Sequence, residues 1–157
     1  MTIITIGIDP GKSCGLAVLR DCLPLRVIQG TATQCMNVLE EYLSLYALDP
    51  DADIEIAIER FTITPKTGRK SQQSSALEIT GMVDLLATRY GVPVTRQTIS
   101  DVKKFVKNTV LRKLGLWFKP SDVDAPDADD AHDAIRHAVY RFAMSHASVF
   151  TLRLKGI

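Results

Sequence analysis

Four acidic residues carry the chemistry this sequence can offer. Asp9 closes the alternating run Ile4, Ile6, Ile8, and Glu59 closes a second one, Ile54, Ile56, Ile58. Alternation of period two marks a strand. If the two strands are parallel neighbours, both carboxylates project from the same edge of the sheet, where open α/β sheets keep their sites. Asp130 and Asp133 stand three residues apart at the start of a helical pattern, so both fall on one helix face. Four converging carboxylates repel one another unless cations lie among them, and an oxygen donor set without His or Cys suits Mg²⁺ or Mn²⁺. The chemistry implied is phosphodiester hydrolysis with two metal ions ~4 Å apart, one activating water and one stabilising the leaving oxygen. Blander roles exist for each acid. An Asp before Pro-Gly is an ordinary turn residue, Glu59 can be a strand-end acid, and acids suit a helix N-terminus, where Asp127 and Asp129 stand beside the pair. Those roles do not explain why the pair should face the same edge as Asp9 and Glu59.

The elements that must position these acids can be read from periodicity. Residues 3–9, 14–20 and 25–30 are three short strands at hairpin spacing, joined by the Asp9-Pro10-Gly11 turn and a turn over Asp21 to Pro24. Cys35, Val38, Leu39, Tyr42, Leu43 and Tyr46 then recur at helical spacing, ending before Asp49-Pro50. A fourth strand closes at Glu59. A helix over 72–90, with Leu77, Val83, Leu86 and Tyr90 near one stripe, leads by a right-handed crossover to a strand over 92–96. Ser100 is placed to cap a helix running to about Leu114. A loop over 115–126 holds Trp117 and Phe118, and a last helix begins near Asp127 to Asp130 and runs to about Ser148. The order βββαβαβαα predicts an α/β fold of the RNase H-like kind: a central five-stranded mixed sheet, three antiparallel strands then two parallel, with helices on both faces. Actin-like ATPase domains begin the same way, and fold alone does not choose between them.

Composition narrows the field. With 157 residues, 46% hydrophobic and 24% charged, the chain has the size and make-up of one globular domain spanning 1–157. No apolar run approaches the ~20 residues of a membrane span. The N-terminus has no basic region or cleavage site, so it is expected to be a strand and the protein cytoplasmic. Cys14, Cys22 and Cys35 form an odd set with no CxxC spacing, which predicts reduced, buried thiols. Net charge is only +1, but from Arg60 to Lys119 twelve Lys and Arg meet three acids, while the remainder carries seven bases and fifteen acids. That separation points to a polyanionic partner.

Three segments, Ile6-Gly7-Ile8-Asp9-Pro10-Gly11, Ala57-Ile58-Glu59 and Asp130-Ala131-His132-Asp133-Ala134, resemble the catalytic motifs of the RuvC-type Holliday junction resolvases, in order and at similar separations. The compact size and motif spacing look similar to those of phage-encoded members. The resemblance implies that Asp9, Glu59, Asp130 and Asp133 are catalytic metal ligands for two Mg²⁺ ions, with Mn²⁺ as a substitute. It implies that Lys103, in Val102-Lys103, stabilises charge near the scissile phosphate. It also implies a homodimer acting on branched DNA, with no membrane and no nucleotide cofactor involved. Two spacings differ from the family's: three residues, not four, separate the DPG from Gly15, and Phe61, a candidate contact to the junction core, follows Glu59 by two residues and not three.

The polar, basic run over 64–73, with Lys66, Arg69 and Lys70, is expected to touch phosphates beside the site. Lys103, Lys104 and Lys107 would extend that track on one helix face. Gly11-Lys12-Ser13 is no P-loop, because position 6 is Ile and a strand follows, and 157 residues leave no room for the second lobe of an actin-like ATPase. Trp117 and Phe118 can stack on a base or pack a loop, and packing suits them better. His132 and His137 flank the acids, and His137 is a candidate for proton transfer or a simple polar contact. The expectation is a junction-cutting endodeoxyribonuclease. The alternatives are a nuclease of the same chemistry acting on flaps, forks or single strands, and a DNA-binding protein without catalysis.

Overall fold

The computed structural model describes residues 1–65 and 73–157. Five strands form one sheet in the order β3-β2-β1-β4-β5: β1 (Thr2–Asp9), β2 (Cys14–Arg20), β3 (Leu23–Gly30), β4 (Ala52–Glu59) and β5 (Val94–Gln97). The pairs β1/β2 and β2/β3 are antiparallel, and β1/β4 and β4/β5 are parallel. This is the mixed sheet the sequence predicts. Both faces are covered, so β1 is buried almost end to end. Ile4, Ile6 and Ile8 face α1 (Ala32–Tyr46) and α2 (Gln73–Tyr90), while Ile3, Ala17 and Leu19 face α5 (Asp129–Ser145) and its neighbours. Helix α1 starts on a capping box, in which Thr31 Oγ1 accepts from the Gln34 amide at 3.2 Å and Gln34 Oε1 accepts from the Thr31 amide at 2.9 Å. The β2–β3 turn uses positive φ at Asp21 and Cys22, and Asp21 Oδ1 accepts from the Ile3 amide at 3.0 Å.

Two glycines set how deep α5 lies. A Cβ on Gly7 would sit 1.9 Å from the Ala134 carbonyl oxygen, and one on Gly15 would sit 2.0 Å from that of Asp130. The helix backbone therefore rests directly on β1 and β2. Toward its other end, Arg141 Nε donates to Glu55 Oε2 of β4 at 2.6 Å.

Several boundaries differ from the sequence reading. The helix expected from Ser100 to Leu114 is two: α3 (Ile99–Phe105), with Thr98 and not Ser100 at its N-cap, and α4 (Asn108–Lys113). The chain leaves helical geometry at Val106 and Lys107 because Val106 and Leu111 both turn into the core under α5. Lys107 consequently does not share a helix face with Lys103 and Lys104. The last helix ends at Ser145, and α6 (Ala147–Leu154) follows, seating Phe150 in the same core. Leu77 is exposed, and the buried stripe of α2 is Ala76, Ile79, Val83, Leu86 and Ala87. All three cysteines are free and buried, as expected. Among the described residues, no helix is long and apolar enough to cross a membrane.

Candidate active site

Because β1 and β4 are parallel and in register, Ile8 against Ile58, Asp9 and Glu59 leave the sheet side by side at its C-terminal edge. Their carboxyls lie close enough to interact directly. Burial, that direct interaction, and the charges of Glu59, Asp130 and Asp133 push the Asp9 carboxyl up to about 9. Glu59 is raised as well, first by burial, and so is Asp130, although a hydrogen bond with Ser13 opposes the shift. The four acids found in the sequence are thus one electrostatic cluster, in which a proton on Asp9 relieves part of the repulsion.

The first turn of α5 is held by a residue of the edge strand β3. Gln29 of β3 accepts from the Ala131 amide through Oε1 at 3.0 Å and donates through Nε2 to the Asp127 carbonyl at 3.1 Å and to Asp127 Oδ1 at 3.0 Å. The Ala128 N-cap has no side chain able to do this, so Gln29 satisfies an orphan helix amide from outside. Its 102-residue separation from Ala131 left no local signal in the sequence.

Asp133 is held by two cations. Lys103 Nζ lies 2.8 Å from Oδ2, and Arg136 Nη1 donates to Oδ1 at 2.6 Å. The lysine side chain is 51% exposed and the arginine's 11%. Arg136 also donates through Nε to the Val106 carbonyl at 3.3 Å and through Nη2 to Asn108 Oδ1. One guanidinium therefore fastens the α3–α4 break to α5 and orients Asp133. In the sequence nothing marks Arg136, because an Arg three residues after an Asp reads as an ordinary helix pair.

The structure places the remaining candidates unevenly. Lys107 and Lys103 line a cavity of about 390 Å³ with Val106, Asn108, Thr109 and Arg136, next to Asp133. Lys104 is exposed and only loosely paired with Asp101, at 4.0 Å. Phe61 is half-buried just beyond Glu59. Lys66, Arg69 and Lys70 lie outside the described residues. Trp117 packs between the Arg112 guanidinium, 4.2 Å from its ring, and the His132 ring at 4.1 Å. His132 Nε2 lies 2.9 Å from the Phe118 carbonyl oxygen, and Phe118 packs against the core. These three residues secure the 115–126 loop to α5. His137 is fully buried, its Nδ1 2.8 Å from Gln97 Oε1 and its Nε2 4.0 Å from Glu59 Oε2. Burial drives it down to about 4, so it is neutral near pH 7.

The donor set fits hard divalent cations: carboxylate oxygens, crowded and self-repelling, at an edge open to solvent. Among the described residues, no three His, Cys, Asp or Glu side chains stand in ready-made coordination positions.

The order and directions of the strands are those of the RNase H-like fold. Within it, the chain is similar to two solved structures of RuvC. One is the Thermus thermophilus RuvC structure, at 20% identity and a TM-score of 0.56, covering 90% of this chain and 96% of that one. The other is T. thermophilus RuvC in complex with a Holliday junction substrate, at 18% identity and a TM-score of 0.54, covering 92% and 96%. No protein-family model and no curated protein matches the sequence.

Proposed function

We propose that this chain is a metal-dependent endodeoxyribonuclease that resolves four-way DNA junctions. The observation that carries the reading is the meeting of Asp9, Glu59, Asp130 and Asp133 at one sheet edge, on a fold shared with a RuvC solved on a Holliday junction. Asp9, Glu59, Asp130 and Asp133 would hold two Mg²⁺ ions, with Mn²⁺ as a substitute. When bound, such ions supply an activated water and stabilise the leaving 3′ oxygen.

The chain's own residues do the positioning. Gly7 and Gly15 let α5 approach closely enough for its acids to reach Asp9. Gln29 fixes the first turn, and Arg136 keeps Asp133 in one orientation, leaving Oδ2 as its outward oxygen. Lys103, half-exposed beside that oxygen, can turn to the scissile phosphate and balance charge there. Lys104, Lys107, Phe61 and the basic run with Lys66, Arg69 and Lys70 would bind the DNA around the cut. A four-way junction offers two equivalent strands and each chain one site, so paired nicking calls for a homodimer. Helix α2 exposes Leu77, Met82 and Leu85, an apolar stripe suited to a second copy.

The test is cleavage of labelled four-way junction, flap and linear duplex with Mg²⁺, Mn²⁺ or EDTA, beside Asp9→Asn and Asp133→Asn. Symmetric, metal-dependent nicking of the junction, lost in both variants while binding survives, is expected. Better cutting of the flap would overturn the junction assignment, and no cleavage of any substrate would leave a DNA-binding protein.

A further inference from the structure

His137 has no place in the carboxylate chemistry above, yet its geometry is specific. Gln97 ends β5 directly opposite Glu59 in the β4–β5 register, and its Oε1 lies 2.8 Å from His137 Nδ1. An amide oxygen only accepts, so Nδ1 carries the ring proton and Nε2 presents a bare lone pair. That nitrogen is buried and has no hydrogen-bond partner among the described residues. It faces Glu59 Oε2 across 4.0 Å, two acceptors with no donor between them. This is too long for a hydrogen bond. It is close to the span between two donor atoms on opposite sides of one cation, given bonds of ~2.0–2.1 Å each.

We propose that His137 Nε2 is a nitrogen ligand to the divalent cation held at Glu59, and that it makes this site favour Mn²⁺ over Mg²⁺. The inference rests on the metal-dependent reading above. Gln97 then has a defined task, because a metal-ligating His characteristically gives its other N–H to a carbonyl or carboxylate that fixes tautomer and ring plane. The selectivity follows from donor chemistry. Mg²⁺ prefers oxygen donors and retained water, whereas imidazole suits transition ions. The other two histidines are engaged elsewhere: His132 against Trp117 and Phe118, His146 near Asp53 and Glu55.

The deciding measurement is pulsed electron paramagnetic resonance on the full chain loaded with Mn²⁺, without DNA. Wild type should show the hyperfine coupling of a directly bound imidazole nitrogen, and His137→Gln should lose it. By calorimetry, His137→Gln should bind Mn²⁺ at least about tenfold more weakly while Mg²⁺ affinity changes less, and Gln97→Leu, which frees the ring, should weaken Mn²⁺ in the same direction. Wild-type protein that binds Mn²⁺ without nitrogen coupling would overturn the proposal, even if no variant folds. Coupling that persists in His137→Gln would overturn it too. Mn²⁺ binding abolished by Glu59→Gln but free of nitrogen coupling would sink this inference alone. Binding of neither Mn²⁺ nor Mg²⁺ would sink the metal-dependent nuclease reading with it.

Discussion

Replacing Gly7 with alanine tests whether the close seat of α5 is what assembles the site. The new Cβ would fall 1.9 Å from the Ala134 carbonyl oxygen and 2.7 Å from the Ala138 amide nitrogen. Both are backbone atoms of α5, so no rotamer change relieves the clash. The helix must retreat by about 1.5 Å to regain ordinary contact, and Asp130 and Asp133 retreat with it. Overpacking of this kind costs ~1–3 kcal/mol, measurable by urea unfolding. A shift of ~1 Å in reacting groups costs on the order of 100-fold in rate, so junction cleavage by Gly7→Ala should fall by about that factor or more. Trimming Ala134 or Ala138 to glycine in the Gly7→Ala background should rescue neither quantity, since their side chains are not what the Cβ meets. A Gly7→Ala protein within about 0.5 kcal/mol of wild-type stability and within about twofold of its cleavage rate would refute the reasoning.

Further predictions concern charge and capping. Asp9 has an ordinary value of 3.8 and is pushed up to about 9 in the fold, so between those values the folded chain holds a proton that the unfolded chain releases. Its contribution to stability is present below about pH 4 and is lost as pH rises through about 9. Urea unfolding in EDTA should therefore show stability declining across that window, and Asp9→Asn should flatten the decline while abolishing cleavage. Lys103→Met removes a half-exposed partner of Asp133, so stability should change by no more than ~1 kcal/mol. Junction cleavage should drop at least about tenfold, since a charge-stabilising group at a reacting phosphate contributes on that scale or above. Thr31→Ala breaks the capping box of α1 and should cost ~1 kcal/mol in thermal or urea unfolding without changing cleavage.

The division between legible and hidden follows from range. Strand and helix periodicities are local, and so is the positioning of an acid at the end of a strand. Asp9, Glu59, Asp130 and Asp133 could therefore be found from type and spacing, and the sheet they share follows from element order. Even the failures of boundary have a physical cause. No local pattern shows that Val106 and Leu111 must both reach the core under α5, so periodicity predicts one helix where two exist. The same tertiary demand breaks the last helix at His146 and seats Phe150.

What sequence alone determined is the chemical inventory: four carboxylates in strand and helix positions, a basic middle, and the order of elements that brings the carboxylates to one edge. What only the tertiary structure decided is how they are held. Gln29 caps α5 from 102 residues away, Arg136 orients Asp133 while fastening the α3–α4 break, and Gln97 turns the His137 lone pair toward Glu59. The physical reason is that hydrogen-bond satisfaction and close packing are settled between segments distant in the chain. A residue's type announces what it can donate or accept, and only the fold determines which partner it meets.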